Sequence, residues 1–135
     1  MKTIIAGSRT VTDYGSVEGA VEDAREKGGL VITEVFSGGG PGVDALGERW
    51  ASEHDVPVRL FHADYGRHGD AAESVRNREM VAQADALIAV WDGESPGTAD
   101  AIRQAATAGL KVVNYRIVSV GAPQGGERQG AKTPR

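Results

Sequence analysis

Residues Ala86–Trp91 form an unbroken apolar run of strand length. A strand with one wet face alternates polar and apolar residues. One without polar positions belongs in the middle of a parallel sheet, buried on both faces by helices. This run therefore sets what the remaining residues must supply, which is further strands beside it and amphipathic helices above and below. Residues 2–6, 30–36, 57–61 and 111–115 read as those strands, the last extendable through Val120. Between them, Val17, Ala20, Val21 and Ala24 recur at i, i+3, i+4 and i+7, behind Asp13 or Ser16 as cap. Val43, Leu46 and Trp50 mark a second helix, and Ala99, Ile102 and Ala106 a fourth behind Thr98 as cap. The third runs from Asp70-Ala71-Ala72-Glu73, which resembles a capping box, to about Ala84. Strand and helix alternate with short connections. The expected fold is α/β, a Rossmann-like three-layer αβα sandwich whose mostly parallel sheet has about five strands.

Residues 1–120 read as one domain, and the Gly-, Gln- and Pro-containing residues 121–135 as a disordered tail. No apolar run approaches the roughly 20 residues that cross a membrane, and Met1 to Gly7 is too short for a signal peptide. There is no cysteine, which excludes disulfides, thiolate catalysis and cysteine-ligated zinc. A cytoplasmic location is the simplest expectation. The net charge of −4 disfavours a protein whose main work is gripping nucleic acid.

Three turns follow strands: Gly7-Ser8-Arg9, Ser37-Gly38-Gly39-Gly40-Pro41-Gly42, and Ser95-Pro96-Gly97-Thr98. In a doubly wound sheet such turns face one crevice, where backbone amides and helix N-termini meet a ligand. Glycine admits close approach of a phosphate, and Pro41 suits a first helical turn. Arg9 offers a planar fork to phosphate oxygens, helped by Arg76-Asn77-Arg78, of which Arg78 is the second arginine for the phosphate. Asp44 is placed for a ribose hydroxyl, and Tyr65 or Trp91 for a base. Asp100 and Glu94 are the carboxylates that could serve catalysis. His62 and His68 lie near Asp64 and Asp70, but their spacing fits no metal signature, so no metal site is expected. Neither a Walker pattern nor Gly-x-Ser-x-Gly is present.

Taken in order, Ile5-Ala6-Gly7-Ser8-Arg9, the 37–44 run leading into residues 45–51, Arg76-Asn77-Arg78 and Pro96-Gly97-Thr98-Ala99-Asp100 resemble the SLOG superfamily. The resemblance is nearest to its small single-domain branch related to YspA and YpsA, and covers about residues 2–117. It implies a Rossmann-like fold that binds a nucleotide or nucleotide-derived ligand, often as a homodimer, with no cofactor required. Two more distant likenesses pull apart. LOG-type phosphoribohydrolases carry Pro-Gly-Gly-x-Gly-Thr-x-x-Glu. Aligning Gly97-Thr98 on that motif puts Ala101 where its glutamate belongs, with Asp100 one residue early. DprA-like proteins use similar glycine turns on single-stranded DNA, but this chain is acidic. The expectation is a nucleotide-binding module that could act as a sensor, with N-glycosidic hydrolysis and then single-stranded DNA binding as the alternatives.

Overall fold

The computed structural model describes residues 1–117. The order is β1 (Lys2–Gly7), α1 (Tyr14–Glu26), β2 (Glu34–Ser37), α2 (Val43–Glu53), β3 (Val58–Leu60), the one-turn α3 (Tyr65–His68), a 3₁₀ turn (Gly69–Ala71), α4 (Ala72–Gln83), β4 (Ala86–Trp91), α5 (Pro96–Thr107) and β5 (Lys111–Arg116). All five strands are parallel, in the order β3-β2-β1-β4-β5. The chain builds outward from β1 to one edge, then crosses back to β4 and builds toward the other. The switch between the two halves therefore falls between β1 and β4, where open α/β sheets bind ligands. The tail expected over residues 121–135, and the strand expected to reach Val120, lie outside the described residues.

Every residue of β4 is buried, as its composition requires. Successive side chains then sort by parity. Ile5, Val35 and Ile88 pack with Val17, Val21, Val43 and Trp50 of α1 and α2. Ile4, Phe36 and Leu87 pack with Met80, Val81, Ala101 and Ala105 of α4 and α5. This is the three-layer αβα sandwich. Trp50 adds a directional tie, its indole N–H donating to Glu22 on α1 at 3.0 Å.

Several boundaries differ from expectation, each for a local reason. Asp13, not Ser16, caps α1, accepting from the Gly15 amide at 3.1 Å. Leu30 does not open β2. Its amide returns to the Ala24 carbonyl, closing the end of α1, and the strand starts only at Glu34. The capping box before α4 does not form: Ala71 stands at the N-cap without a side-chain bond, because the 3₁₀ turn feeds directly into the helix. Ser95 rather than Thr98 caps α5, accepting from the Thr98 amide at 3.3 Å with Pro96 behind it in the first turn. Pro41 lies in the turn before α2, which begins at Val43.

Candidate functional site

Where β1, β2 and β4 end, the turns surround an open crevice of about 430 Å³. From the β1 turn, Gly7 and Arg9 line it; from the β2 turn, Gly38, Gly39, Gly40 and Asp44. Arg76 and Asn77 come from α4, and Pro96, Gly97 and Thr98 from the start of α5. The three strand-end turns thus converge as their positions after parallel strands predict.

The β2 turn is built on close contacts. Gly42 has φ +74°, and a Cβ there would strike the Ser8 carbonyl and lie 2.6 Å from Arg9 Cα. Only glycine brings the β1 and β2 turns this near. At Gly38 a Cβ would strike the Arg76 guanidinium. That guanidinium donates from Nη1 to the Gly38 carbonyl (3.0 Å) and the Phe61 carbonyl (3.3 Å), and from Nε to Asn77 Oδ1 (3.1 Å). Asn77 in turn donates to the Gly97 carbonyl (3.2 Å) and Asp100 (3.0 Å). Arg76 and Asn77 therefore form a continuous bonded floor joining the β2 turn to the start of α5.

Asp44 reaches back from α2 to accept from the Gly40 amide at 3.1 Å. Burial pushes its carboxyl above the usual range, against the opposing pull of that amide and of Arg76. Arg9 is largely exposed at the mouth, 3.9 Å from Glu73.

Not every predicted residue faces the crevice. Ser8 is buried; its hydroxyl accepts from the Asp92 amide at 3.0 Å and its carbonyl from the Val43 amide at 3.2 Å. Ser37 is buried too, donating to Glu48 at 2.6 Å and accepting from the Gly39 amide at 3.1 Å. Both hydroxyls brace turns from beneath. The Gly39 and Gly40 amides are accordingly engaged by Ser37 and Asp44, which corrects the expectation of bare amides at those two positions. Arg78 points to solvent two positions beyond Arg76, on another side of α4. Trp91 is buried and donates to Asn114 on β5 at 2.7 Å, so it offers no face to a base.

The two proposed catalytic acids are also elsewhere. Glu94 is exposed and does not line the crevice. Asp100 is gripped between α4 and α5 by Asn77, Gln104, Arg103 and Ser74. Partial burial raises its carboxyl, but the bonds from Asn77 and Gln104, with Arg103 nearby, outweigh that and hold it below the usual range.

Sequence reasoning gives two polar residues of the crevice no place in it, and a third a lesser one. His62 sits against Gly39, 3.6 Å from where its Cβ would stand, while His68 lies exposed on α3. Glu73 lines the α5 side, and Tyr65 donates to it at 2.6 Å across the mouth. A signal for Glu73 is present in the sequence: Glu73, Arg76, Asn77 and Met80 stand at i, i+3, i+4 and i+7, one face of α4.

A family model described as the YspA, cpYpsA-related SLOG family matches residues 1–68, which hold the first two turns. Gene 61 protein of Mycobacterium phage D29 is 37% identical over 122 residues, spanning 84% of this chain and 95% of that protein. Among solved structures, DNA processing protein A (DprA) from Streptococcus pneumoniae is similar with a TM-score of 0.64 at 15% identity. The likeness, one of fold, covers 96% of this chain and 54% of the other, so this chain spans about half that protein's length. Among the described residues no helix is long and apolar enough to cross a membrane.

Proposed function

Because the chain belongs to the YspA, cpYpsA-related SLOG family, we propose that it binds a nucleotide or nucleotide-derived small molecule in this crevice. The observation that carries the reading is the convergence of the three strand-end turns on one cavity whose floor is the Arg76–Asn77 bridge. A phosphoryl group rests against the backbone of residues 38–40 and meets Arg9, whose guanidinium is exposed and only loosely paired. Asp44 takes a ribose hydroxyl, and Tyr65, 57% exposed at the mouth, offers its ring to a base. No cofactor or metal is needed, and a homodimer, implied by the family, belongs to the same proposal.

Hydrolysis of an N-glycosidic bond requires a carboxylate beside the anomeric carbon to stabilise a developing cation. Asp100 and Glu94 do not line the crevice, so that reading loses its two named acids. Single-stranded DNA binding is weakened by the net charge of −4.

Mass spectrometry of small molecules released from the purified chain, followed by thermal shifts with a panel of nucleoside monophosphates, tests the proposal. A ligand present at 100 times its Kd stabilises the fold by about 2.7 kcal/mol. A chain that releases nothing and melts unchanged throughout the panel overturns it.

A further inference from the structure

Glu73 is the one acidic side chain that the sheet's α5 side turns toward the crevice among the lining residues, and Tyr65 holds it there. Tyr65 donates to Oε2 at 2.6 Å, Arg9 stands 3.9 Å from the same oxygen, and Oε1 packs 3.1 Å from where a Gly97 Cβ would sit. Its carboxylate, partly exposed at the mouth, stands beside the start of α5 and within loose ion-pair range of Arg9. A phosphate brought to that side meets a fixed like charge at short range. On the opposite wall the Asp44 carboxylate stands as close to the backbone of Gly38 and Gly40, but it is bonded back to the Gly40 amide.

We propose that Glu73 is a specificity determinant that closes the Gly97 side of the crevice to phosphate. The proposal rests on the nucleotide reading only for the ligand's identity. A ligand with one phosphoryl group at residues 38–40 then presents hydroxyl or amine donors to Glu73, and molecules phosphorylated at both ends are rejected. Tyr65 positions the carboxylate without being the source of the discrimination, since the repulsion belongs to the charge.

Calorimetric titration of the full chain with inorganic phosphate, and separately with AMP, tests this in the wild type, Glu73→Gln and Tyr65→Phe. The glutamine side chain is nearly isosteric and keeps an acceptor for Tyr65, so the fold is retained, which circular dichroism checks. Inorganic phosphate is expected to bind Glu73→Gln about tenfold more tightly than wild type, and Tyr65→Phe to stay near wild type. Equal or weaker phosphate binding by Glu73→Gln, or binding to neither, overturns the exclusion. So does an equal gain in Tyr65→Phe, which would assign the effect to the hydrogen bond. If Glu73→Gln gains phosphate affinity while AMP binds no form of the chain, the exclusion stands and the nucleotide reading falls. If AMP binds and the phosphate gain is absent, the reverse holds.

Discussion

After β2 the chain passes through glycines into α2 with no side-chain cap, whereas after β4 Ser95 caps α5 with its hydroxyl on the Thr98 amide. Both turns read in sequence as strand, glycine and proline, helix, acid. In the first, the acid, Asp44, folds back over its own turn and lines the crevice. In the second, Asp100 turns away into a network between α4 and α5. The second turn is thus neutralised internally, by Ser95 at its cap and Glu73 at its side. The first has no side-chain cap; its helix start is closed by the Ser8 carbonyl on the Val43 amide and carries Asp44 in its first turn. A shared motif therefore does not imply a shared role; what decides is which partners the rest of the chain delivers.

The sharpest way to break this comparison is to put the same methyl group on each turn. Gly42→Ala forces a Cβ at φ +74° into the Ser8 and Arg9 backbone, which cannot yield without moving the β1 turn. A loss of roughly 3 kcal/mol is expected in urea denaturation. Gly97→Ala meets only the far end of Glu73, 3.1 Å away, and should lose less than about 1 kcal/mol. Similar losses at the two sites would mean that the turns are equivalent after all.

These differences trace the limits of what the sequence makes legible. The central strand, the parallel order and the convergence of turns follow from Ala86–Trp91 and from helical spacing, because those signals are local and repeat. The inward aim of Ser8 and Ser37 does not. A turn hydroxyl reads the same whether it faces a ligand or the Asp92 amide 84 positions away, or Glu48 eleven away. The crevice role of Tyr65 is visible only as a candidate, since α3 is a single turn with no period of its own. Glu73 is hidden by a competing local explanation, the capping box, which the 3₁₀ turn displaces.

The bridge between the two turns gives a smaller effect. Asn77 is 4% exposed, and Asn77→Ala removes its bonds to the Gly97 carbonyl and Asp100 while leaving Arg76 Nε without its acceptor. The expected cost is about 1–3 kcal/mol. If the floor couples the turns, amide exchange should quicken in residues 38–40 as well as 95–98. Quickening confined to α5 would leave the two turns independent.

The smallest effect has opposite signs at the two acids. Asp44 titrates above the usual range in the folded chain, so the unfolded carboxyl ionises first as pH climbs. Stability present below the unfolded value of about 3.9 is then lost as pH rises through the folded one. Asp100 titrates below the usual range, so its contribution is present above about 3.9 and lost as pH falls through its folded value. Urea midpoints measured across the carboxylate range should therefore diverge in two ways. Relative to wild type, Asp44→Asn improves as pH rises past the unfolded value. The deficit of Asp100→Asn is full at neutral pH and shrinks as pH falls below that value. Parallel pH profiles in the two variants would show that both carboxylates sit in equivalent surroundings, so that the two acids do not part company after all.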